Sequence, residues 1–277
     1  MIKPETEQIL AEIALKTAAF MTILVLCFIV GFLFVKGLPA LSWSFLFENP
    51  HDMGRSGGIF SAILGTFLLA LLSLMISTPL GVGTAIFLTE YTQESIITKI
   101  IRFGADCLSG IPSIIFGLFG FVLFVIKMNL GWCILSGALT MSFMILPTII
   151  RTAEEAIKTV PDDLREASLS LGATKWQTIT KVVLPEAVPG IMTGVVLGIG
   201  RTVGETAVVI FTAGSALATP KSVFDSTRTM AVHFYIIARE GISTQNAYGT
   251  ALLIVTAILM INLTAYFLMN KLMTNKR

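Results

Sequence analysis

Charge is scarce in this chain. Only 13% of its 277 residues are Asp, Glu, Lys or Arg, where a soluble domain carries about 25%, and this shortage excludes an ordinary water-soluble fold. With 55% hydrophobic residues and a mean hydropathy of +0.85, the composition is that of an integral membrane protein. The net charge is only +2 and the basic residues are scattered, which argues against a nucleic-acid partner. No G-x-x-x-x-G-K-[ST] string occurs, so nothing here can cradle nucleotide phosphates in the P-loop manner. Histidine is limited to His51 and His233, neither with a second ligand at metal spacing. The three cysteines, Cys27, Cys107 and Cys133, fall in apolar runs and read as buried small hydrophobes rather than as a disulfide or a metal site. No internal repeat, low-complexity tract or linker is visible, so a single membrane domain over 1–277 without a cofactor is expected.

Six apolar runs are long enough to cross a hydrocarbon core of about 30 Å: 17–35, 59–88, 107–126, 130–150, 187–218 and 248–269. The expected architecture is therefore all-α with six transmembrane helices. Glu5, Glu7 and Glu12 spoil the basic n-region of a signal peptide, so the first run reads as a retained span. A cytoplasmic N-terminus places twelve Lys and Arg residues on the cytoplasmic side and six outside, with Arg201 left inside a span. This bias favours an N-in, C-in topology by the positive-inside rule.

The polar stretch EASLSLGATKWQTITKVVLP, 166–185, lies between long apolar segments and is built as a docking elbow. Pro161 with Asp162 and Asp163 opens a short helix, since a missing N–H is harmless in the first turn and acids there complement the helix dipole. Gly172 can end that helix in the left-handed conformation. Thr174 and Gln177 have capping-box spacing for a second helix, expected to stop near Pro185, with Pro189 opening a third. The elbow should span about 159–186, two short helices meeting at an angle. Glu166, Ala167, Ser168, three residues, Gly172, nine residues, Val182, one residue, Leu184 and Pro185 follow in an order that resembles the cytoplasmic coupling loop of ABC importer permeases. Ser168 and Val182 replace that pattern's commonest alanine and isoleucine within the same size class. The resemblance implies a type I importer permease fold, an elbow seated in a cleft of an ATPase subunit, and Glu166, Ala167 and Gly172 as coupling residues.

The fifth run contains PGIMTGVVLGIGRTVGETAVVIFTAG, 189–214, with Arg201 and Glu205 near its middle. An arginine at mid-membrane costs about 2.5–3.5 kcal/mol on the insertion scale, so it normally faces a cavity, a partner or a substrate path. Four residues apart, the two side chains are expected to share one helix face, and Glu205 can hold the guanidinium until a tetrahedral oxyanion displaces or joins it. A helix-locking salt bridge or a partner-helix contact would use the same two residues. Gly190, Gly194 and Gly198 form a small-residue stripe, and Gly200 and Gly204 a second pair, packing either within the chain or across a dimer. The string GRTVGETA, 200–207, resembles the corresponding helix of bacterial phosphate permeases of the Pst system. The stretches 57–91 and 108–120, AVHFYIIARE (231–240) and AYGTALL (247–253) extend that resemblance toward its A-type subunit.

Pro79 and Pro112 interrupt apolar helices, and Ser77, Thr78, Ser109 and Ser113 beside them either bond their own backbone or line a path. Two external segments remain, 36–58 with Trp43 and Phe47, and 220–246, within which 226–240 reads as an amphipathic helix; either receives a binding protein or lies at the headgroups. The resemblance implies a permease in the bacterial inner membrane that takes phosphate from an external phosphate-binding protein, beside a second permease subunit and two ATPase subunits. Sulfate, molybdate or phosphonate in place of phosphate remains open at this point. So does a secondary transporter or channel with no ATPase, although that leaves the elbow unexplained.

Overall fold

A bilayer offers no water to solvate backbone amides, so apolar segments satisfy them within helices. The computed structural model of the chain describes residues 4–92 and 94–274. Its helices are α1 (Pro4–Gly37), α2 (Trp43–Phe47), α3 (Phe60–Ile86), α4 (Ile96–Gly110), α5 (Ser113–Gly120), α6 (Ile134–Lys158), α7 (Asp162–Ser170), α8 (Lys175–Thr178), α9 (Leu184–Val203), α10 (Ala207–Thr212), α11 (Met230–Arg239) and α12 (Thr244–Thr274). Among the described residues the only strands are β1 (Pro50–His51) and β2 (Ser56–Gly57), a short antiparallel pair. Five helical stretches are long and apolar enough to cross a membrane: Gln8–Ala40, Phe60–Tyr91, Ile134–Lys158, Lys175–Val203 and Thr244–Phe267. The sixth crossing is a broken pair, Ile96–Gly110 and Ser113–Lys127, bent by 102°.

Six crossings are present as expected, but two differ in form. The run 107–126 is divided because Pro112 disfavours helical backbone at the residue before it: Ile111 is extended, with ψ 130°. The run 187–218 is divided too. Its helix ends at Val203, α10 lasts six residues, and 213–229 contains no helix. This crossing instead begins earlier, at Lys175, and passes through Pro185 and Pro189 without stopping. A π-helical turn at Ile179–Val183, just ahead of Pro185, widens the backbone where the proline removes an N–H and crowds the preceding turn.

α3 and α6 form the centre. Leu69, Met141, Met144, Ile145 and Ile149 pack there with Phe116 of α5, Val208 and Val209 of α10, and Val232 of α11. Pro79 is held inside α3 without ending it, and nearby Ser73 and Ser77 donate to the carbonyls of Leu69 and Ser73 at 2.7 and 2.8 Å, bonding their own helix. α1 ends beside the start of α12, where Gly37 abuts Tyr248 and Leu252. Both lie at the end opposite the elbow, so the start of α1 and the end of α12 point to the elbow side, in agreement with N-in, C-in.

Only one of the three cysteines is buried. Cys133 caps α6, its sulfur accepting from the Ser136 N–H at 3.4 Å, whereas Cys27 and Cys107 are on the outer surface; all three are free thiols. In a bilayer an apolar run faces lipid as readily as protein, so apolar flanks do not imply burial within the fold. The second external segment also differs from expectation: 226–229 is not helical, and α11 starts at Met230 after the Thr229 cap.

Candidate functional site: coupling elbow and translocation helix

The elbow forms by local hydrogen bonding. Pro161 is the N-cap of α7, with Asp162 and Asp163 in its first turn. Gly172 has φ +85°, its N–H donates to the Leu169 carbonyl at 2.9 Å, and the Ala173 N–H donates to Ser168 at 3.2 Å. These are the two reversed bonds of a Schellman ending. α8 starts two residues later with a complete capping box: the Gln177 N–H donates to Thr174 Oγ1 at 3.3 Å, and the Thr174 N–H to Gln177 Oε1 at 2.9 Å. Ser168 Oγ and Thr178 Oγ1, 2.9 Å apart, tie the two arms across the corner.

α7 has no buried residue. Glu166, Ala167 and Gly172 are exposed, and around them Leu164, Leu169, Trp176 and Leu171, the last 89% exposed, make an apolar surface that the chain leaves uncovered. Contiguous apolar surface framed by charge is the mark of an interaction site. The inner side of the elbow is anchored: Ile179 and Val183 pack with Ala85 and Ile86 of α3 and with Ala153, Ala156 and Ile157 of α6.

Ion pairs missed by the sequence reading reinforce this anchorage. Arg165 donates from Nε and Nη2 to Glu90 Oε1 at 3.1 and 2.9 Å, and from Nη1 and Nη2 to the carbonyls of Val160 and Ile157 at 2.6 and 2.9 Å. Lys175 places its Nζ 5.1 Å from the centre of the Tyr91 ring. A buried carboxylate, Glu154, accepts from Arg102 of α4 at 2.8 Å and from Lys158 at 2.7 Å. With Asp106, Arg151 and Glu155 they line a cavity of about 290 Å³. Arg165 and Glu90 are 75 positions apart and Arg102 and Glu154 are 52 apart, so no local spacing advertises these ion pairs.

Arg201 lies in the last turn of α9, not at mid-helix, and the half-buried pair 201 and 205 does not share one helix. The chain leaves the helix at Gly204. Glu205 turns instead to the next element, its Oε1 accepting from the N–H groups of Thr206 and Val208 at 3.2 and 3.3 Å, which caps α10. Among the described residues no ion pair or hydrogen bond joins Glu205 to Arg201. The i,i+4 rule requires continuous helix between the two positions, and that condition fails here. A cation at a helix C-terminus and an anion at the next N-terminus each complement a dipole. The glycine stripe packs within the chain: Gly190 meets Ala156 at 2.5 Å from where its Cβ would be, Gly194 meets Thr152, and Gly198 meets Leu74. Beside Arg201, Gly200 faces open space.

At the end opposite the elbow, Ser61 Oγ, Thr227 Oγ1, Arg228 Nη1 and both ring nitrogens of His233 are buried without a hydrogen-bond partner among the described residues. Burial, and then the neighbouring Arg228 charge, lower the His233 pKa from 6.5 to about 4. Val203, two residues past Arg201, packs with Ile59, Ala62 and Met230 in the adjoining cluster, so Arg201 belongs to this outer half.

Residues 77–274 match the family model described as binding-protein-dependent transport system inner membrane component. The chain belongs to this family. It is similar to the phosphate transport system permease protein PstA of Pasteurella multocida, 37% identical over 255 residues, 90% of this chain and 89% of that protein. It is also similar to the "Probable ABC transporter permease protein YqgI" of Bacillus subtilis, 34% identical over 256 residues and 86% of each. Among solved structures, a chain of a bacterial ABC transporter involved in the import of the acidic polysaccharide alginate shares its fold, with a TM-score of 0.67 at 18% identity over 96% of each chain. A chain of the MetNI methionine ABC transporter shares it with a TM-score of 0.60 at 19% identity, over 78% of this chain and 94% of that one. The protein is thus a multi-pass inner-membrane component with the type I ABC importer permease fold. Family membership implies a second permease, an ATPase and a binding protein as partners; the family's permease subunits are not themselves ATPases.

Proposed function

We propose that this chain is the A-type permease subunit of an ATP-driven phosphate importer, one domain over 1–277 with its elbow at about 159–186. It forms half of the translocation path beside a second permease subunit, with two ATPase subunits and an external phosphate-binding protein. The observation that carries the reading is Arg201, a half-buried guanidinium within a membrane crossing, with no carboxylate partner among the described residues. A planar fork of donors suits a tetrahedral oxyanion, and a lone charge in the membrane is retained only where it has such work. Similarity to PstA proteins over most of the chain supports phosphate as that oxyanion.

In this reading, ATP closes the ATPase pair. The elbow, with Glu166, Ala167 and Gly172 at its contact, carries that motion into the helices, and the permease halves alternate access around Arg201. Glu205 acts beside it by holding the start of α10. The deciding experiment compares ATP- and binding-protein-dependent uptake of labelled phosphate in vesicles carrying the full complex, native against Arg201→Gln. Uptake by native vesicles and its loss in an assembled variant are expected. Equal uptake would make Arg201 structural, and native vesicles that carry sulfate, molybdate or phosphonate but no phosphate would move the substrate.

A further inference from the structure

We propose that the Glu90–Arg165 ion pair is the joint that makes α3 move with the elbow, so that both residues are positioning residues for coupled transport. The proposal rests on the reading of the chain as an ATP-driven permease. α8 runs without interruption into α9, so any displacement of the elbow reaches the Arg201 helix through the chain itself. α3 has no such link. Its attachment to the elbow is made by side chains alone: the apolar packing of Ala85 and Ile86 against Ile179 and Val183, and polar contacts at the π-helical turn Phe87–Tyr91 that ends it.

Each arm of the elbow grips that turn once. From α7, Arg165 reaches Glu90 with two donors while its other bonds go to Ile157 and Val160 at the end of α6 and to Asp162 at 3.1 Å. The pair is largely withdrawn from solvent, with side-chain exposures of 17% for Arg165 and 10% for Glu90. From α8, Lys175 lies over the ring of Tyr91. The π-turn presents two adjacent side chains, Glu90 and Tyr91, to two different arms. One guanidinium thereby binds three elements in a fixed fork geometry that lysine's single point charge does not reproduce.

Beyond the joint, α3 runs roughly 40 Å to its other end, at about 1.5 Å per residue over 27 residues. There Ala62, together with Ile59 just ahead of the helix, packs against Val203, close to Arg201. The joint thus lets the two helices bordering the outer half of the path be displaced together from the cytoplasmic end. With it broken, α9 is driven and α3 lags, so ATP is hydrolysed without matching solute movement.

The test uses the full complex in lipid vesicles and measures phosphate uptake and ATP hydrolysis together for Arg165→Gln, Glu90→Gln and Arg165→Lys. We expect both glutamine variants to assemble and hydrolyse ATP at near-native rates while the phosphate moved per ATP falls roughly tenfold, within the range of couplings between sites; the lysine variant should lie between. A solute-independent arm places nitroxide labels at Leu80→Cys and Ser170→Cys in a Cys27→Ser, Cys107→Ser background. ATP should leave that distance narrow in the native joint and broaden it in Arg165→Gln. An unchanged transport-to-hydrolysis ratio in both glutamine variants, or loss of assembly in both, overturns the joint. A native complex that moves no phosphate strikes the substrate reading instead, and the label distances then decide the joint by themselves.

Discussion

Substituting Gly172 separates the shape of the elbow from its mere presence. At φ +85° an L-residue costs about 1–2 kcal/mol, and nothing lies within 4 Å of where a Cβ would stand, so Gly172→Ala pays a backbone penalty without a clash. Asparagine tolerates the left-handed region better, and Gly172→Asn should be milder still. Gly172→Pro is different in kind. Its ring fixes φ near −65°, about 150° from the native angle, and it removes the N–H that donates to Leu169 at 2.9 Å. Both effects undo the Schellman ending, and with it the placement of Thr174 and the Ser168–Thr178 bond across the corner, at a cost of about 3 kcal/mol or more. The assay is ATP-driven phosphate uptake in vesicles, with the two permease subunits quantified in the same membranes. Alanine and asparagine variants should transport, and the proline variant should leave the membrane complex assembled but abolish uptake. Retained uptake in Gly172→Pro would refute the claim that the elbow's conformation couples the ATPase to the path.

Glu205→Ala should cost about 1 kcal/mol through loss of the α10 cap, and Glu205→Gln, which keeps an acceptor oxygen, should stay near native in thermal stability; a Gln variant as damaged as Ala would show that charge rather than capping matters. Gly194→Val should overpack α9 against Thr152 and lower stability by about 1–3 kcal/mol, whereas Gly200→Ala, facing open space, should be tolerated; thermal unfolding of the purified complex checks the contrast. Because the His233 pKa is lowered to about 4 in the fold from 6.5, the unfolded chain takes up the proton first. Stability is then fully present above pH 6.5 and falls by about 3 kcal/mol as the pH drops toward 4. His233→Phe should flatten that part of the stability–pH curve, and a parallel fall in both proteins would contradict the assignment.

Much of the elbow and all six crossings were legible from composition and spacing. Hydropathy alone marks a crossing, because the bilayer acts on each apolar run separately. Pro161, Gly172 and the Thr174–Gln177 pair mark turns whose hydrogen bonds close within five residues, so their geometry is written locally. The break at Pro112 is of the same kind. By contrast, the end of α9 at Gly204 carries no proline, and the glycine-rich run 187–218 reads as one helix until Glu205 is seen capping α10. Passage through Pro185 depends on a π-turn that no spacing rule predicts.

Arg165 and Glu90, 75 positions apart, are two unremarkable charges in the sequence and one half-buried pair in the fold. Gly194 could have packed against this chain or another until Thr152 was found beside it. The sequence by itself determined the membrane setting, the number of crossings, the elbow and the presence of an arginine within an apolar run. Tertiary structure decided which charges pair, where the Arg201 helix ends and which helices the elbow grips, because those outcomes are set by contacts between segments that meet only after the chain has folded.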